Sequence, residues 1–172
     1  MSEHNRFSSY RESLLEHLFA GELMKYFWLN GARRIEVLKP QVDDGGYDLV
    51  LESRSVIRHV QLKASFHDAA TPQVQIHLGL GDKPSGCVVW IMFNRDTLQL
   101  GPFLWFGGEP GQRLPAINAF KTATHNKRNS LGVKTQRANI RLIPKAEFEP
   151  IASIGELAIR LFGPPAMESA LE

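Results

Sequence analysis

Gly46-Tyr47-Asp48-Leu49-Val50-Leu51-Glu52-Ser53-Arg54-Ser55-Val56-Ile57-Arg58-His59-Val60-Gln61-Leu62-Lys63-Ala64-Ser65 is the stretch on which the fold turns. Tyr47 to Glu52 and Val56 to Ala64 are rich in β-branched and apolar residues, and Ser53-Arg54-Ser55 between them predicts a hairpin. With the turn centred between Arg54 and Ser55, Asp48 and Gln61 fall opposite one another, and opposed residues of an antiparallel pair project to one face. Lys63 lies two residues past Gln61 and shares that face, while Val60 and Leu62 point the other way into apolar packing.

The elements around the hairpin predict an α/β chain. Upstream, Ser9-Tyr10-Arg11-Glu12 reads as a capping box opening a helix that runs to Leu29. Leu14, Leu15, Leu18, Phe19, Leu23, Phe27 and Trp28 recur at helical spacing, and Asn30-Gly31 supplies a left-handed stop. Arg34 to Leu38 reads as a short strand, and Asp43-Asp44-Gly45-Gly46 as turn chemistry. Downstream, Gln73 to Leu78 alternates like a strand, with a short helix as the other reading. Gly86 to Phe93 is a continuous apolar run expected of a central strand buried on both faces, and Leu98 to Phe106 is its hairpin partner. Residues 107 to 139 are rich in Gly, Pro, Asn and basic side chains, with a short helix expected at Ala116 to Thr124. Ala138 to Ile143 gives another strand, and Ser153 to Phe162 a last helix stopped by Gly163-Pro164-Pro165.

Length and composition set the outer limits. A chain of 172 residues with 43% hydrophobic content predicts a single domain, placed at residues 1–165 with a loose tail at 166–172. One cysteine, Cys87, excludes an intramolecular disulfide framework and reads as a core residue. No apolar run approaches a membrane span and the N-terminus carries no signal-like stretch, so a cytoplasmic protein without membrane contact is expected. Net charge is +2, yet no acidic residue lies between Glu109 and Glu147. That gap holds Arg113, Lys121, Lys127, Arg128, Lys134, Arg137, Arg141 and Lys145. A polyanion-binding surface needs such a segment, since each neutralised phosphate releases condensed counterions; a solvated face balanced by acids elsewhere is the plainer reading. Lys121, Lys127, Arg128, Lys134 and Arg137 lie among Asn126, Asn129, Ser130 and Thr135, donors suited to phosphate contact.

Other chemistries find less support. The six histidines show neither HExxH nor paired ligand spacing, residues 43 to 54 do not complete a calcium loop, and Gly79-Leu80-Gly81 followed by Asp82-Lys83-Pro84 breaks both nucleotide-binding fingerprints. Trp90, Trp105 and Phe106 sit in strands and read as core. On the first helix, Glu22 projects from an otherwise apolar stripe, four residues after Leu18 and four before Tyr26, where an acid wants a partner. Glu16 falls beside Glu12 and Ser13 on the side that reads as wet, so Glu22 is preferred as the helix carboxylate.

Glu22 on a leading helix, Gly31 after it, Gly46-Tyr47-Asp48-Leu49-Val50 and Val60-Gln61-Leu62-Lys63-Ala64-Ser65 together resemble the core of the PD-(D/E)xK, or restriction-endonuclease-like, nuclease superfamily. The likeness spans about residues 13 to 93. It implies a mixed sheet flanked by helices and a site for Mg²⁺ or Mn²⁺, with Asp48 as principal ligand, Glu22 a direct or water-mediated ligand, and Lys63 orienting the attacking water. Gln61 stands where most active members carry Glu or Asp; its amide oxygen can coordinate a hard cation but brings no charge. The expected activity is phosphodiester hydrolysis, in DNA. The alternatives are a nucleic-acid-binding module of the same fold that does not cleave, and a structural domain forming a homodimer through the strands of residues 86 to 106.

Overall fold

The computed structural model describes residues 7–30, 34–42, 44–125 and 134–164. In chain order they form α1 (Ser8–Leu29), β1 (Glu36–Leu38), β2 (Leu49–Ser53), β3 (Val56–Phe66), β4 (Gln73–His77), a 3₁₀ segment (Leu78–Asp82), β5 (Gly86–Phe93), β6 (Leu100–Gly107), β7 (Thr122–Thr124), β8 (Gln136–Pro144), a 3₁₀ turn (Lys145–Glu147), β9 (Glu149–Ile151) and α2 (Ile154–Phe162). The protein is mixed α/β, as the hydrophobic periodicities require. Six strands make one sheet in the order β1-β2-β3-β5-β6-β9, and β4-β8-β7 make a second. Only β3 and β5 run parallel in the larger sheet, because the β4 segment carries the chain back between them. Both edge strands, β1 and β9, are three residues long, which limits the unpaired edge open to another chain.

All eight residues of β5 are buried, and their alternation divides the interior in two. Cys87, Val89, Ile91 and Phe93 pack with Leu15, Phe19, Leu23 and Phe27 of α1 and Leu157 and Leu161 of α2. Val88, Trp90 and Met92 face the second sheet through Ile76, Leu80, Ile143 and Phe148. Burial pushes the Cys87 thiol up to about 12, as befits a core sulfur. Residues 86–106 supply interior strands: β5 is paired by β3 and β6, and β6 by β5 and β9.

Several local expectations need correction. α1 begins at Ser8 with Phe7 as N-cap and no side-chain cap, so Ser9 and Glu12 make no capping box. Asn30 is the C-cap of the helix at φ −101, and both its backbone N–H and its Nδ2 donate to the Tyr26 carbonyl; Gly31, the other half of the expected stop, lies outside the described residues. Within Ala116 to Thr124 there is no helix; the β-branched Thr122 and Thr124 pair instead with β8. Trp28, read into the apolar stripe, is 69% exposed. The C-terminal helix follows the sequence closely: Ser153 Oγ accepts from Glu156 N at 3.2 Å, and Gly163, at φ +80, closes it. Gly31, Asp43 and the tail at 166–172 lie outside the described residues. Among the described residues no helix is long and apolar enough to cross a membrane.

Candidate active site

The β2–β3 hairpin has the register its sequence demands. Ser53 pairs with Val56, and Arg54 and Ser55 between them have φ 50 and 65, the left-handed pair that lets a two-residue turn match strand twist. Leu49 opposes Val60, so Asp48 reaches the strand opposite Gln61. There the strands part, since β2 begins at Leu49 whereas β3 runs on to Phe66. Asp48 stands at this fork. Its N–H donates to the Val60 carbonyl at 2.8 Å, and its Oδ2 accepts from the Leu62 N–H at 2.6 Å, which fixes the carboxylate against β3.

The turn before Asp48 is fixed from the other side. Gly46 has φ +74 and packs so closely on His77 that a Cβ would come within 2.6 Å of the histidine Cβ, so glycine is required on both counts. Tyr47 stands edge-on to His59, ring centres 4.9 Å apart.

Asp48 and Lys63 line one cavity of about 490 Å³ together with Leu62, Ala64 and Ile91. Its other wall is the first two turns of α1, Ser9 to Glu16, joined by Lys39 from the end of β1. Asp48 and Lys63 both line this cavity, as do Leu62 and Ala64 of the opposite strand parity, whereas Gln61, which the register puts on the face of Lys63, does not. Glu22 is elsewhere. It accepts from Lys25 Nζ at 2.7 Å and lines a separate cavity of about 650 Å³ with Leu14, Leu18, Leu98, Phe103 and Ile154. The helix carboxylates that line the cavity with Asp48 are Glu12 and Glu16 instead. The reason is rotational: the buried positions 15, 19, 23 and 27 put Glu12 and Glu16 on the flank facing the fork, while Glu22 shares the opposite flank with Leu14 and Leu18. Two carboxylates four residues apart repel along a helix unless a cation lies near them, and that spacing was the sequence signal for this flank.

Gln61 is buried at 9% exposure, outside the cavity lining, and its Oε1 accepts from the His77 N–H at a long 3.4 Å. Glu16 is the more enclosed partner of an ion pair: Lys39 Nζ lies 2.7 and 3.0 Å from its two oxygens. Among the described residues no three carboxylate, imidazole or thiol groups are drawn together tightly enough to hold an ion. Mg²⁺ does not require this, since one or two carboxylates commonly hold it while waters and substrate oxygens complete the shell. Asp48, Glu12 and Glu16 offer hard oxygen donors, and an ammonium already seats across both Glu16 oxygens, so the residues fit a hard cation in kind.

Of the basic segment, Lys121, Lys134 and Arg137 are exposed beside the second sheet, and Lys127 and Arg128 lie outside the described residues. Arg137 Nη1 donates to Gln75 Oε1 at 2.7 Å, and Arg141 Nη1 to the Ala138 carbonyl at 2.7 Å, so part of the positive charge organises β8 itself. Trp90 and Trp105 are buried, consistent with core roles.

Sequence reasoning passed over Arg58. It is fully buried, stacked over Trp105 at 5.4 Å, with Nε donating to the Leu161 carbonyl at 2.6 Å and Nη2 to that of Arg160 at 3.2 Å. Burial lowers its pKa, an effect opposed by Cys87 and Glu109 and reinforced by Arg160. The partial negative charge at the α2 C-terminus favours the cation there. No protein-family model and no curated protein matches the chain.

Proposed function

We propose that this chain is a divalent-cation-dependent nuclease of restriction-endonuclease-like fold that hydrolyses phosphodiester bonds in DNA. One observation carries the reading: Asp48 at the hairpin fork and Lys63 on the adjoining strand line one cavity together with Glu12 and Glu16 of α1. Asp48 and Glu16 would hold Mg²⁺ or Mn²⁺, which when bound would polarise a phosphate oxygen and make a water more acidic. Asp48 serves as an oriented ligand because the Leu62 N–H holds its carboxylate. Lys63 offsets negative charge gathering on the phosphoryl group and orients the attacking water. Lys121, Lys134 and Arg137 contact the DNA backbone, setting its position without reading its sequence.

The test is cleavage of plasmid and single-stranded DNA in Mg²⁺ and Mn²⁺ by the parent chain, Asp48→Asn and Lys63→Met. The parent is expected to cut, and each variant to lose at least about a hundredfold in rate. Equal cutting by all three would remove both residues from the chemistry. The non-cleaving nucleic-acid-binding reading draws on Gln61 being turned to His77 and Glu16 being held by Lys39. DNA retained by a parent chain that never cuts it would select that reading.

A further inference from the structure

We infer that Lys39 is the resident counter-ion of the candidate active site, holding Glu16 in place until a divalent cation displaces it. The inference rests on the cation-dependent reading above and gives that site an exchange step. Lys39 ends the short run from β1, immediately before Pro40, and reaches across to α1, where its ammonium lies 2.7 and 3.0 Å from the two Glu16 oxygens. The two partners are unequally enclosed: 17% of the Glu16 side chain is exposed against 60% of Lys39. The carboxylate is thus the fixed, partly buried member, and the lysine is the member that arrives from solvent on a flexible four-carbon stem. A partly buried carboxylate left without positive charge is unfavourable, which explains the ammonium at this position.

The pair is also easily exchanged. An ion pair with a largely exposed partner adds little stability, because water screens it and both long side chains lose freedom in forming it. A doubly charged ion bound between Glu16 and Asp48 concentrates more charge on the same oxygens and meets little resistance in replacing the ammonium. Lys39 and Asp48 bound the same β1–β2 connection, so the leaving counter-ion and the incoming ion's principal ligand belong to one stretch of chain. Once displaced, the ammonium remains tethered at the cavity wall, where an arriving phosphate provides its next partner.

The experiment measures Mn²⁺ binding to the full chain without DNA, by calorimetry and by electron paramagnetic resonance of free Mn²⁺, for the parent, Lys39→Met, Lys39→Gln, Glu16→Gln and Asp48→Asn, with circular dichroism melts confirming that each is folded. Both Lys39 variants are expected to bind about fivefold more tightly, the factor matching an exposed ion pair of ordinary strength. Adding Glu16→Gln to Lys39→Met should erase the gain. Parental affinity in both Lys39 variants, with weakened binding in Asp48→Asn, overturns the counter-ion role and leaves the cation site standing. Absence of Mn²⁺ binding in the parent and every variant overturns the inference together with the reading beneath it.

Discussion

The two ends of β3 carry cationic side chains put to opposite uses. Towards the hairpin, Arg58 is sealed inside, its guanidinium shared among the carbonyls of Leu161, Arg160, Gly108 and Glu109. Towards the fork, Lys63 borders a cavity lined by carboxylates. Strand alternation places the two on opposite faces, five residues apart. A planar guanidinium with five donors in fixed directions suits several carbonyls at once, whereas an ammonium on a flexible stem is a point charge that can follow a reacting group. The same strand thus ties α2 to the sheet at one end and, under the proposed function, bears the chemistry at the other.

The sharpest way to break this contrast is Arg58→Ala. Removing the guanidinium leaves buried carbonyls without donors and empties space beside Trp105, so unfolding free energy should fall by at least about 3 kcal/mol in urea titrations. Lys63→Met should shift it by no more than about 0.5 kcal/mol. Comparable losses from both would make Lys63 a scaffold residue and erase the distinction. A second variant sharpens the fork end: Gln61→Glu adds charge on the residue opposite Asp48 while keeping an acceptor for the His77 N–H, and Mn²⁺ affinity should rise about tenfold, or about 1.4 kcal/mol. Unchanged affinity would assign Gln61 to the seam between the sheets. The smallest effect concerns α1, which spans the length between the two ends. Gly21 lies in its interior, and a Cβ added there would meet nothing within 4 Å, so Gly21→Ala should raise stability by about 1 kcal/mol in the same titrations. A loss there would show that the helix needs its glycine for an approach that a single chain does not contain.

The hairpin was legible because strand period and turn length leave one register that buries Leu49, Leu51 and Val60, and that register alone brings Asp48 opposite Gln61. The central strand was equally legible from its unbroken apolar run. Glu16 was not, because exposure on an isolated helix wheel does not reveal which flank a second element will cover; only the position of the β2–β3 fork decides it. Arg58 was hidden for a related reason. Its acceptors are main-chain carbonyls about 50 and 100 residues further along, and carbonyl direction leaves no mark in side-chain pattern. The Thr122–Thr124 strand escaped because three residues are too few to express a period, and its partner β8 supplies the ordering.

The left-handed pair Arg54 and Ser55 acts as a phase marker for everything beyond it. An extra residue inserted at that bend would invert the alternation of the whole downstream strand, turning Val60 and Leu62 towards the side of the second sheet and driving Gln61 and Lys63 into the layer that packs on the helices. Under the proposed function, chemistry at the fork is therefore hostage to a bend that touches none of the reacting groups, and drift in this chain should accept changed side chains there far more readily than changed length.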